Sequence, residues 1–73
     1  MDVRDYEYII AIAEQGSITR AASQLFITQP ALTRFLQLTE NELGLKLFIR
    51  NGSQMLLTEA GHRYVETGRK TYI

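Results

Sequence analysis

The sequence predicts a mainly helical domain, with a three-helix core, a two-stranded β-hairpin and a further C-terminal helix. Three observations carry this. Apolar residues recur at helical spacing in four stretches. Serine or threonine caps and glycine stops punctuate those stretches. Asn51-Gly52, a turn signal, separates two short apolar runs.

The first helix is expected over about Val3 to Gln15. Tyr6, Ile9, Ile10 and Ala13 form its apolar side, Glu7 and Glu14 its solvated side, and Gly16 its stop. Ser17 or Thr19 can cap the second helix by accepting from an otherwise unpaired backbone N–H. Ile18, Ala21, Ala22 and Leu25 give that helix an apolar face, and it ends near Leu25. Phe26 and Ile27 form the turn. Thr28 caps the third helix, with Pro30 in its first turn, where the missing N–H costs nothing. Ile27 and Leu32 have the spacing of a hydrophobic staple, and Gly44 ends the helix. At about 100° per residue, Leu32, Leu36, Thr39 and Leu43 fall in one stripe, expected to face the core.

Leu47-Phe48-Ile49-Arg50 and Met55-Leu56-Leu57 are strand-like. A turn on Asn51-Gly52 and a longer loop running to Gln54 are equally compatible with the residues between them. Thr58 caps a fourth helix, with Ala60, Tyr64, Gly68 and Tyr72 on one side and Val65 beside them. No breaker precedes Ile73, which leads us to expect that the helix belongs to a longer chain. Helix, turn, helix and hairpin in this order make a winged helix-turn-helix.

The bulk properties narrow the function. A chain of 73 residues is one small domain, and without cysteine it has neither a disulfide frame nor a thiolate metal site. The longest apolar run, Tyr8 to Ala13, is too short to span a bilayer. The opening Met1-Asp2-Val3-Arg4-Asp5 is unlike a secretory signal, so a cytoplasmic location is expected. Net charge is zero, which alone argues against a nucleic-acid partner. The distribution argues the other way. No acid occurs from Gln15 to Thr39, a window holding Arg20 and Arg34, nor from Leu43 to Thr58, which holds Lys46 and Arg50. The outward side of the third helix carries Pro30, Thr33, Arg34, Gln37 and Asn41, with one positive charge and no negative one. An ordinary solvated face mixes both signs.

The ordered string Ser17-Ile18-Thr19-Arg20-Ala21-Ala22, Leu25, Thr28-Gln29-Pro30-Ala31-Leu32-Thr33-Arg34, Leu43-Gly44, Leu47-Phe48, Arg50 and Leu57-Thr58-Glu59-Ala60-Gly61 resembles the signature of LysR-type bacterial transcription regulators. The likeness spans nearly the whole chain. It implies that residues 1–57 are a DNA-binding domain and residues 58–73 the start of a linker helix. The third helix would lie in the major groove, and the hairpin would touch the backbone or minor groove as a wing. Two chains would dimerise antiparallel through the fourth helix. Members of the family carry a C-terminal effector-sensing domain and act as tetramers on interrupted inverted repeats. Thr28 and Thr33 stand where serine is frequent, Thr39 replaces a core leucine, and Phe35 replaces a polar residue.

The site residues follow. Gln29 can donate and accept in the bidentate pattern that suits adenine, against the plainer reading of a partnerless helix-start glutamine. Pro30 can touch a thymine methyl or simply initiate the helix. Arg34 can fork onto guanine or a phosphate. Thr28, Thr33 and Gln37 complete the outward face, the threonines as phosphate contacts, with capping as the second role of Thr28. Arg50, Asn51, Ser53 and Gln54 form the wing tip. Tyr64, Val65, Gly68, Tyr72 and Ile73 are expected at the dimer contact, because an apolar run on so short a chain has little else to cover it. His62 lacks the companions of a metal site or a general base, and no serine sits in a nucleophile motif, so neither a cofactor nor an enzyme is expected. The partner expected is double-stranded DNA. The competing reading is a winged-helix module that docks on protein, hinted at by Phe35 and Leu38.

Overall fold

The computed structural model describes residues 2–72; Met1, Ile73 and the side chain of Tyr72 lie outside the described residues. The elements run α1 (Val3–Gln15), α2 (Ile18–Leu25), α3 (Gln29–Leu43), β1 (Phe48–Asn51), β2 (Gln54–Leu57) and α4 (Glu59–Tyr72). This is the predicted helical core and hairpin.

Each boundary has a local cause. Asp2 caps α1 through a reciprocal box: its Oδ1 accepts from the Asp5 N–H at 2.9 Å, and Asp5 Oδ2 accepts from the Asp2 N–H at 3.4 Å. Of the two candidate caps for α2, Ser17 is the one used, its Oγ accepting from the Arg20 N–H at 3.2 Å. Thr28 Oγ1 accepts from the Ala31 N–H at 3.2 Å at the start of α3. The helices α1 and α3 stop at Gly16 and Gly44 with φ of 63° and 72°, a left-handed turn that a side chain would strain. Helix α2 stops the same way on Phe26, with φ of 60°. This conformation is uncommon outside glycine and asparagine, and nothing in the residues around Phe26 signals it.

The core lies between α1, α2, α3 and the hairpin. Ile9, Ile12, Leu32 and Leu47 are fully buried, and Ala21 and Ala22 let α2 sit close. Burial of each large aliphatic side chain stabilises the fold by roughly 1.5–3 kcal/mol. The predicted stripe of α3 needs correction. Leu32 and Leu36 face the core, but the next inward position is Glu40, while Thr39 is half-buried and Leu43 exposed. The reason is polar: Glu40 turns inward to satisfy backbone donors of the segment before the hairpin. Phe35 is half-buried, with its ring edge-on to Tyr8 at 5.0 Å between centroids.

The strands pair antiparallel, Phe48 with Leu57 through Asn51 with Gln54. The register leaves a two-residue turn at Gly52 and Ser53, with φ of 65° at Gly52. The tight hairpin therefore forms, its turn displaced one residue from the Asn51-Gly52 expected. Helix α4 packs back on α1. Val65 is 8% exposed and belongs to the core cluster, and a Cβ at Gly68 would run into the Tyr6 ring. No helix among the described residues is long and apolar enough to cross a membrane.

Candidate nucleic-acid interface

The outward side of α3 starts from the cap. Thr28 uses its hydroxyl oxygen on the Ala31 N–H, which leaves the hydroxyl proton to donate. Gln29, Pro30, Arg34 and Gln37 are exposed and Thr33 is half-buried, and these last five line one shallow concavity. Arg34 makes no ion pair among the described residues. Gln29 is not partnerless: its Oε1 accepts from Thr19 Oγ1 of α2 at 3.0 Å.

A second cleft, about 390 Å³, runs between α3 and the hairpin. Thr33 and Gln37 line its helix side, and Lys46, Ile49 and Arg50 its hairpin side. A third, at the start of α2, brings Ser53 and Gln54 beside Ser17 and Arg20. The wing residues named from sequence are thus divided: Arg50 lies across a cleft from α3, and Ser53 and Gln54 lie beside the start of α2. Asn51 is exposed in β1, at the hairpin end. Arg20 and Arg50 make no ion pair among the described residues.

One acid reaches these clefts, and its charge is already used. Glu40 is 7% exposed, and its Oε2 accepts from the Leu47 N–H at 2.7 Å and the Phe48 N–H at 3.3 Å. Its Oε1 lies 3.7 Å from Lys46 Nζ. A carboxylate with two backbone donors and a cation nearby is compensated for its burial. Glu40 thereby ties α3 to the first residue of the hairpin. From the other direction, Thr58 donates its hydroxyl to the Lys46 carbonyl at 2.7 Å and its N–H to the Leu47 carbonyl at 2.9 Å. The Met55 N–H donates to the Gly16 carbonyl at 3.0 Å, tying β2 to the turn between α1 and α2. The hairpin is held at both ends and is not a free flap.

Lys46, Glu40 and Thr19 are the residues that sequence reasoning missed. The inward register of Glu40, four residues after Leu36 and eight after Leu32, was the available signal.

The residues named for self-association do not form one surface. Val65 and Gly68 are turned inward within the chain, so the structure removes both from any exposed contact. The physical reason is that α4 needs a face of its own to dock on α1, and these two residues supply it. Tyr64 is half-buried and lines a groove with Asp5, Phe35, Leu38, Glu42 and Leu43. The predicted contacts of Ile73 and of the Tyr72 side chain lie outside the described residues.

Comparison with known proteins follows the same lines. Residues 3–62 match the family described as bacterial regulatory helix-turn-helix protein, lysR family. The chain is 47% identical over 66 residues to a probable cat1 operon transcriptional activator of Acinetobacter lwoffii, covering 90% of this chain and 22% of that protein. It is 43% identical over 70 residues to the HTH-type transcriptional regulator ClcR of Pseudomonas putida, covering 96% of this chain and 24% of that one. The chain thus spans about a quarter of the length of the curated relatives it matches. Its fold superposes on the CbnR_DBD–DNA complex with a TM-score of 0.88 at 39% identity, covering 97% of this chain and 82% of that one. On the BenM_DBD/benA site 1 DNA complex the TM-score is 0.88 at 37% identity, covering 97% and 80%.

Proposed function

The chain belongs to the LysR family of bacterial regulatory helix-turn-helix proteins, and from that premise we propose that it binds double-stranded DNA sequence-specifically as the operator-reading part of a transcription regulator. The observation that carries the reading is the outward side of α3. Gln29, Thr33, Arg34 and Gln37 lie side by side without an acid, next to a cleft whose cations are Lys46, just before the wing, and Arg50 on it. In this arrangement α3 enters the major groove. Arg34 and Gln29 meet base edges, while Thr28, Thr33 and the wing hold phosphates. Affinity comes largely from phosphates and counterion release, and specificity from α3 and DNA shape. No step requires a cofactor, and the family's work is binding rather than catalysis.

The protein-docking alternative loses its main support, since Phe35 is packed on Tyr8 and only Leu38 of the two hinting residues is free. We assign Leu38, with Tyr64 and the outward part of α4, to a contact between two copies. Residues 58–73 then begin a linker helix, and the longer protein assembles as dimers and tetramers on an interrupted inverted repeat in the cytoplasm.

Fluorescence anisotropy tests the reading with a duplex carrying an interrupted dyad and a scrambled control, each titrated at several salt concentrations. The logarithm of the binding constant should fall linearly with the logarithm of salt, by about 0.9 per phosphate contacted. The dyad should bind more tightly at every salt. Binding without salt dependence, or equal affinity for both duplexes, would sink the proposal.

A further inference from the structure

The bond between α2 and the first residue of α3 has a consequence for reading. A glutamine amide has an acceptor end and a donor end of nearly equal size, so an unheld side chain can offer either to a base. Gln29 is held: Thr19 Oγ1 donates to its Oε1 at 3.0 Å. The Nε2 amine has no partner among the described residues, and the residue is exposed on the concavity with Pro30, Thr33, Arg34 and Gln37. Thr19 is a suitable holder. It sits in the first turn of α2, which Ser17 caps, and its β-branched side chain has few rotamers.

We infer that Thr19 is a specificity-determining positioning residue: its hydroxyl holds one end of the Gln29 amide against α2 and leaves the other end to face DNA. With the oxygen engaged toward α2, the amide is presented as a donor. The base it reads must therefore offer an acceptor in the major groove, such as a purine N7, guanine O6 or thymine O4. Thr19 itself need not touch DNA. This rests on the reading of α3 as the recognition helix, and it replaces the adenine pairing expected of a free glutamine, which needs both ends of the amide.

Selection from a randomised duplex pool, followed by sequencing, tests it with the wild-type chain, Thr19→Val, Thr19→Ser, Gln29→Ala and Thr19→Val/Gln29→Ala. The wild type should show a preference at one base pair per half-site that Gln29→Ala erases. Thr19→Val, which keeps the shape of the side chain, should weaken that same preference about 3–10-fold. Other positions in the motif should hold and thermal unfolding should not move. Thr19→Ser should restore the preference, and the double variant should match Gln29→Ala alone. Replacing the selected purine by its 7-deaza analogue should cost the wild type more than Thr19→Val. Three results overturn the inference: Thr19→Val selecting as the wild type does, Thr19→Val weakening all duplexes equally, or a further loss when it is added to Gln29→Ala. Failure of the underlying reading has a different signature, in which the wild type selects no motif or Gln29→Ala leaves the motif intact, and the inference falls with it.

Discussion

Two outward sides of α3 differ in chemistry although they share one backbone. On one, Gln29, Pro30, Thr33, Arg34 and Gln37 form a polar concavity without an acid. On the other, Phe35, Leu38, Thr39 and Glu42 meet Asp5 of α1 and Tyr64 of α4 in a groove that sets large apolar side chains beside two acids. A helix turning about 100° per residue can divide its surface into three sectors. Here the third sector, Leu32, Leu36 and Glu40, faces the core. Acids are missing only where a polyanion is proposed to lie, and exposed leucine occurs only on the other side. A neutral protein can therefore keep a DNA-facing surface free of negative charge by sorting its charges rather than by gaining more cations.

The strongest test of this division removes its fixed sector. Glu40→Ala leaves the Leu47 and Phe48 N–H groups without their acceptor. At about 1–3 kcal/mol for each unpaired buried donor, the loss should be about 2–6 kcal/mol in total. Chemical denaturation should show it. DNA footprinting should show wing protections lost before those of α3, because the hairpin loses its tie to the helix.

Arg34→Ala acts on the first side alone. It should weaken operator binding by about 1–3 kcal/mol if the guanidinium meets a base, and lower the salt slope by about one if it meets a phosphate. Circular dichroism and self-association should be unchanged. Unchanged affinity in a folded variant would remove Arg34 from the interface.

Leu38→Glu acts on the second side. Leu38 is 51% exposed, so stability should shift by no more than about 0.5 kcal/mol. Sedimentation at tens of micromolar should show weaker self-association, since the new charge joins Glu42 and Asp5 around the groove. Affinity for a single half-site should hold while affinity for the dyad falls. Equal sedimentation of variant and wild type would place the contact between copies elsewhere.

Phe26→Gly should leave both sides of α3 untouched, and it is the only one of the four expected to stabilise. The ring is 95% exposed, so its removal forfeits almost no burial, while a left-handed φ of 60° costs a phenylalanine about 1 kcal/mol or more. Part of that gain is offset by the greater freedom of glycine in the unfolded chain. The net should be at most about 1 kcal/mol, and calorimetry should show a rise of no more than about 4–8 °C. A drop would mean that the ring contributes contacts to the turn.

The sequence alone determined the local events. Caps at Thr28 and Thr58, a cap at Ser17 or Thr19, stops at Gly16 and Gly44, and helical spacing of Ile9, Ala21 and Leu32 are properties of neighbours along the chain, so the element order was legible. The polar side of α3 was legible for the same reason, because a helix converts spacing into direction. Tertiary structure decided what depends on residues far apart in sequence. Glu40 has inward spacing from Leu32 and Leu36, but its partners appear only when the chain brings the Leu47 and Phe48 N–H groups to it. Val65 and Gly68 read as an exposed apolar side until α1 presents the Tyr6 ring against α4. Gln29 reads as free until α2 crosses close enough for Thr19 to reach its amide. In each case the deciding partner is a donor, an acceptor or a ring on another element, and only the packing of the chain shows which groups are satisfied and which remain for a ligand.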